Sequence, residues 1–95
     1  MKLRPVLVVQ ADNLNTDLPQ VIVAMVSSNL SRVGQASRVP MLLKDPAASQ
    51  TGLRSDSVIM TDNLATIELQ LIERTIGHMP RMEIVDLALR NTLAL

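Results

Sequence analysis

The run Val21-Ile-Val-Ala-Met-Val26 is the strongest constraint on how this chain folds. Its β-branched residues favour a strand, and no polar residue interrupts them. A strand of that kind is buried on both faces. Pro5-Val-Leu-Val-Val-Gln10 has the same character, so two buried strands are expected early in the chain. The 95 residues fit one domain, residues 1–95. Phe, Tyr, Trp and Cys are all absent, although 47% of the sequence is hydrophobic. The core must therefore be built from Leu, Val, Ile, Ala and Met, with no disulfide behind it. A domain of this size buries only roughly 60–65% of its unfolded surface, so a partner subunit would help it.

The rest of the chain reads less sharply. Ala11 to Gln20 is a loop by its Asn, Asp and Pro content. Asp12, Asn13, Asn15 and Asp17 are calcium-ligand types, but Leu14 fills the third position of the EF-hand pattern. A central Gly and a twelfth-position Glu are also missing, so a solvated turn is the better reading and no metal is expected. Ser37 to Leu43 predicts a third strand that Pro40 pushes to a sheet edge. Lys44 to Ser55 is a second loop. Ser57-Val-Ile-Met60 predicts a short strand extending toward Leu64. Thr66 to Ile76 mixes helical and strand signals that periodicity does not separate. Pro80 suits the first turn of a C-terminal helix. Glu83, Asp86 and Arg90 form a polar stripe on it, and Ile84, Val85, Leu87, Ala88 and Leu89 fill the rest of its circumference. Such a face packs on the sheet, on a second subunit, or on both. Four or five strands with that helix make a small α+β domain or barrel.

Several function classes drop out. Lys2 and Arg4 imitate the basic start of a signal peptide, but the apolar run Val6 to Val9 is too short to follow it. No run approaches the ~20 residues of a membrane span, so a soluble cytoplasmic protein with no membrane role is expected. A net charge of zero argues against a binder that relies on its global field. Without aromatics, bases cannot stack on Phe, Tyr or Trp. His78 is the single histidine, and with no cysteine the usual zinc sets and thiol catalysis are excluded. No nucleophile elbow and no Gly-rich phosphate loop is present, and no cofactor is indicated. A lone histidine at an element junction is more often structural than catalytic.

A set of blocks goes further. Arg4-Pro-Val-Leu-Val-Val-Gln10 resembles the "RPVLVIQ" strand of the MazF/PemK-like toxins. Val21-Ile-Val-Ala-Met-Val-Ser27 is similar to their strand ending in Thr or Ser. Arg54-Ser-Asp-Ser-Val-Ile-Met60 resembles "xDSVIL", and Asp62-Asn-Leu-Ala-Thr-Ile67 resembles "EQIRTI". Ile76-Gly-His-Met79 and the Leu-rich helix match the family's end, so the resemblance covers nearly the whole chain in register. It implies an SH3-like small antiparallel β-barrel with short helices and a C-terminal helix, forming a homodimer. It also implies a metal-independent endoribonuclease, an mRNA interferase, in which the ribose 2′-OH of single-stranded RNA attacks the adjacent phosphate. The products would carry 2′,3′-cyclic phosphate and 5′-OH ends. The nucleophile belongs to the substrate, so the protein must position it in line and stabilise the extra negative charge. By the resemblance Arg4 is the catalytic arginine, whose permanently charged fork grips two phosphate oxygens. Ser27 supplies the catalytic hydroxyl. Ser28, Asn29, Arg38 and Asn63 are the expected RNA contacts, with Asn63 where the family often has Gln.

The resemblance also implies an inhibitor, a small acidic antitoxin whose disordered tail lies across the RNA groove. In the family a strand of the type "GDVYLVDLDP" and a mobile loop precede the Arg-Pro block, whereas this sequence reaches Arg4 after three residues. The expectation is an open sheet edge and a groove with one wall fewer, or a translation start further upstream. Ala65 replaces a frequent family Arg, and Arg38 a frequent His. Two alternatives follow: a dead, dimerising relative that titrates antitoxin, and a gyrase-poisoning toxin on the same barrel. The second lacks the C-terminal aromatic it would insert into its target. The zero net charge is itself a cancellation. Residues 27–54 carry Arg32, Arg38, Lys44 and Arg54 against Asp45, or +3, and residues 55–95 sum to −3. A basic middle suits an RNA groove.

Overall fold

The computed structural model describes residues 3–95. Its strands are β1 (Val6–Val8), β2 (Gln20–Ser27), β3 (Arg38–Met41) and β4 (Ser57–Glu68), followed by one α-helix, α1 (Met82–Leu93). They form a single antiparallel sheet in the spatial order β1-β2-β4-β3. The expected barrel is thus a curled open sheet, a half-barrel, with a C-terminal helix.

The curl has a local cause. β2 pairs with β4 from Gln20↔Glu68 to Ala24↔Leu64, then jumps to Met25↔Met60 and runs to Ser27↔Val58. One step on β2 therefore spans four on β4, and Thr61, Asp62 and Asn63 are left as a bulge. A bulge bends its strand and increases the twist. This one is held by Thr61, which is fully buried. The Thr61 N–H donates to the Ser37 carbonyl at 3.0 Å, and its hydroxyl donates to the same oxygen at 2.7 Å. Its Oγ1 also lies 2.9 Å from Thr92 Oγ1 on α1, whose hydroxyl donates to the Ala88 carbonyl at 2.8 Å. Two hydroxyl protons thus serve three contacts. Thr61→Val keeps the shape and leaves both carbonyls another donor, so it should cost only about 1 kcal/mol. Thermal melting should register that as a fall in Tm of roughly 4–8 °C.

The core cluster joins Ala24, Val26, Val39 and Ile59 of the sheet to Val85 and Ala88 of α1, with Leu7, Leu53, Leu64 and Met82 packed around it. Val23 and Ala24 are consecutive and both fully buried, as are Val58 and Ile59 to within 2%. Neighbours along a strand face opposite ways, so the expectation of a β2 buried on both faces holds. For the Pro5–Gln10 run it does not. β1 spans only Val6–Val8, is half-buried, and leaves Val8 46% exposed. The physical reason is position: among the described residues β1 pairs with β2 alone, at one edge of the sheet.

β3 lies at the other edge with Pro40 exposed, as its proline requires. The ambiguous Thr66–Ile76 stretch divides: β4 continues to Glu68, a 3₁₀ turn follows at Leu69–Leu71, and the remainder is irregular. Pro80 stands just before the helix rather than in its first turn, because Arg81 takes the N-cap. Glu83, Asp86 and Arg90 are exposed as expected. The sheet covers Val85 and Ala88 but leaves Ile84 44% and Leu87 60% exposed. In the first loop Asp12, Asn13, Asn15 and Asp17 are all exposed, and Asp17 takes a left-handed φ of 58° that Asp tolerates. No helix of the described residues is long and apolar enough to cross a membrane.

Candidate functional site

Because Leu7, Ala24, Val26, Ile59 and Val39 face α1, their neighbours along each strand face the opposite side of the sheet. One row on that side runs Val6–Met25–Met60–Arg38 across all four strands. The next row, toward the end of β2, holds Ser27, Val58 and Pro40. β1 and β2 pair Val6 with Met25. Arg4 lies two residues before β1, at the end of the antiparallel pair where β2 stops at Ser27, so the two residues expected to be catalytic, 23 positions apart in sequence, belong to the same end of the sheet.

Their chemical state suits an anion. Arg4 is exposed, and no hydrogen bond or ion pair engages it among the described residues. Ser27 is half-buried at the end of β2, and its Oγ accepts the Asn29 N–H at 3.0 Å. That bond uses a lone pair and leaves the hydroxyl proton for a donor role. Asn29 Oδ1 in turn accepts the Ser31 N–H at 3.1 Å, which directs its NH₂ group away from the turn. Ser28, exposed between them, completes a short polar edge.

Arg38 is placed differently from a free groove cation. Its Nη2 donates to Asp62 Oδ2 at 3.1 Å, and its Nε lies 3.0 Å from Oδ1 as an ionic contact rather than a directed hydrogen bond. The Arg38 side chain is only 15% exposed, so this pair ties β3 to the β4 bulge. Asn63, next in that bulge, is exposed. It lies beside Ala24 and Met25, two to three residues along β2 from Ser27. Ser27 and Arg38 therefore share a face, Arg4 stands just before β1 at the Ser27 end of the sheet, and Asn63 flanks the face.

Pairing across the chain also reduces the basic middle. Arg38 is matched by Asp62, and Asp45 receives two hydrogen bonds from Arg81, at 2.9 and 3.0 Å. Asp45 also caps the 3₁₀ turn Pro46–Gln50 by accepting the Ala47 N–H. Arg32, Lys44 and Arg54 are left without a carboxylate partner among the described residues. His78 is structural in its contacts: its N–H donates to the Gln50 carbonyl, and Nε2 lies 2.9 Å from Gln50 Oε1. On the α1 side of the sheet, Val39, Met41, Met79 and Ile84 line a mainly apolar groove of about 520 Å³, with Lys44 and the Arg81–Asp45 pair also at its wall.

Sequence reasoning missed Asp62 as the partner of Arg38, and it missed the Met25–Met60 pair. Charge type alone hinted at the first; the register of a bulged sheet was needed for the second.

Known proteins share this fold and sequence pattern. The family described as PemK-like, MazF-like toxin of type II toxin–antitoxin system matches residues 1–93. The chain is 34% identical over 94 residues to Endoribonuclease EndoA of Bacillus subtilis (strain 168), covering 97% of this chain and 77% of that protein. Its fold is similar to Mycobacterium tuberculosis toxin MazF-mt6, with a TM-score of 0.80, 28% identity, and coverage of 99% of this chain and 89% of that one. A mycobacterial endoribonuclease solved with its cognate antitoxin has the same fold, with a TM-score of 0.75, 22% identity, and coverage of 97% and 82%. With the motif blocks in order along the sequence and the match running from one end to the other, this chain belongs to the PemK-like, MazF-like toxin family of type II toxin–antitoxin systems.

Proposed function

We propose that this toxin is a metal-independent endoribonuclease that cuts single-stranded mRNA and is held inactive by an acidic antitoxin. The observation that carries the reading is that the exposed Arg4, just before β1, and Ser27, the last residue of β2, belong to the same end of one antiparallel pair. In the reaction a ribose 2′-oxygen forms a bond to the adjacent phosphorus and gives up its proton. The bond from phosphorus to the 5′-oxygen breaks, and that oxygen takes a proton to become the 5′-OH. The ring left behind is the 2′,3′-cyclic phosphate.

Negative charge grows on the non-bridging oxygens as the phosphorus becomes five-coordinate. Arg4 meets both of them with its planar fork, and the Ser27 hydroxyl donates to one of the same two oxygens. The Asn29 NH₂ and the Ser28 hydroxyl extend this edge along the RNA backbone. Arg38 keeps Nη1 for a neighbouring phosphate while Nε and Nη2 face Asp62. Asn63 reads a base or a sugar from the bulge. Ile84 and Leu87, exposed on α1, support a homodimer. Solution in the cytoplasm is where both mRNA and antitoxin would be met.

The test is direct. Purified protein incubated with a long unstructured RNA and EDTA should give discrete cuts whose downstream fragments carry 5′-OH. Absence of cleavage, with binding of the neighbouring acidic gene product retained, would replace this reading by that of a dimer that only titrates antitoxin.

A further inference from the structure

A ribonuclease that selects its cutting site must hold bases as well as phosphates, and this chain has no aromatic residue to stack them on. The sheet offers another surface. Met25 and Met60 are directly paired across β2 and β4, and both are half-buried. They lie on the face that carries Ser27 and Arg38, between Val6 on one side and the Arg38–Asp62 pair on the other. Paired strands are about 4.8 Å apart, and residues two apart on one strand are about 6.8 Å apart. The shelf is therefore one rung below Ser27, about the reach from a phosphate to the base of its own nucleotide.

Thioethers suit that role. They are flexible, polarisable and uncharged, and sulfur makes favourable contacts with aromatic rings. A flat base on the shelf would have its edges toward Asn63 in the bulge and toward the Arg38–Asp62 pair, which are polar groups able to read it. We propose that Met25 and Met60 form a thioether platform that seats an unpaired RNA base beside the phosphate held by Arg4 and Ser27. This rests on the endoribonuclease reading and adds the base contact to it.

The experiment uses protein labelled with ¹³C at the methionine methyls. A 2′-O-methylated oligoribonucleotide spanning a mapped cut is added, since blocking the 2′-oxygen prevents cleavage. The Met25 and Met60 methyl signals should move upfield by the ring current of the base. Met41, 3% exposed on the opposite face, should stay in place. In parallel, Met25→Ala and Met60→Ala should each raise KM by about 3–10-fold with kcat nearly unchanged. Met25→Leu and Met60→Leu preserve volume, so they separate a lost platform from a damaged fold.

Cleavage that persists while both methyl signals and KM stay unmoved would overturn the platform and leave the nuclease intact. Methyl shifts that follow protein concentration without RNA would overturn it in favour of a second copy covering the shelf. If no RNA is cut, the underlying reading fails and the platform falls with it.

Discussion

Arg4→Ala lowers kcat for RNA cleavage by about 10²–10³-fold and leaves the melting temperature unchanged. The two halves of that result have separate causes. Arg4 is exposed, precedes β1, and joins no hydrogen bond or ion pair among the described residues. Removing its side chain therefore takes nothing from the fold. For the reaction, Arg4 precedes β1 at the end of the sheet where β2 stops at Ser27, and in the proposed mechanism it is the cation that meets the scissile phosphate. Arg38 is on the same face, but Asp62 occupies two of its nitrogens. A permanent cation held in place before charge develops needs no reorganisation at the transition state, which is why a single such donor matters so much. Arg4→Lys should recover only part of the rate, because an ammonium keeps the charge but loses the two-pronged grip. Kinetics with a defined oligoribonucleotide and a thermal melt check both halves. Cleavage that survives Arg4→Ala would mean that the phosphate is gripped elsewhere.

Most of what organises this site was visible in the sequence as separate pieces, and the connections between them were not. The β-branched runs located the strands, and Pro40 marked an edge, because those residue types carry strong local preferences. The family blocks then named Arg4 and Ser27. What puts both at one end of the sheet is the antiparallel β1–β2 pairing, and a pairing is a property of two segments at once. The Pro5-to-Gln10 run departs from its expectation for a related reason. Its composition is that of a buried strand, but exposure depends on what lies beside β1 in the sheet, and among the described residues only β2 does. The β4 bulge is still less legible. Thr61-Asp62-Asn63 has no glycine or proline to announce it, and it is fixed by Ser37, Arg38 and Thr92, which are 24 to 31 positions away. Summed charge was misleading in the same way. The +3 middle is partly cancelled because Asp62, from the acidic third segment, folds onto Arg38.

Gly77→Ala is the substitution expected to damage the fold most. The chain between β4 and α1 crosses the 3₁₀ turn and its exit at Gln50–Gly52 with backbone packed on backbone. A methyl added at Gly77 would lie 2.5 Å from the carbonyl carbon and oxygen of Thr51 and would collide with the Gln50 carbonyl oxygen. None of these can swing aside as a side-chain tip can. The same Gln50 carbonyl accepts the His78 N–H at 2.9 Å, and the Gln50 and His78 side chains meet at 2.9 Å. Relieving the clash therefore breaks the hydrogen bonds that close the seam. The opposite side is equally tight: Gly52 has a left-handed φ of 73°, and a methyl there would strike the Ile76 carbonyl. This is the physical content of the Ile76-Gly-His-Met79 block, which as a sequence looked merely like a junction. The expected loss is about 3 kcal/mol, equivalent to a fall in Tm of roughly 12–24 °C for a domain of this size. Gly34→Ala provides the comparison, since a methyl at Gly34 meets nothing within 4 Å, and its Tm should stay level or rise slightly. If Gly77→Ala melts with Gly34→Ala, the 50–52 and 76–78 segments do not touch in solution, and the entry of the chain into α1 is held by the Arg81–Asp45 pair instead.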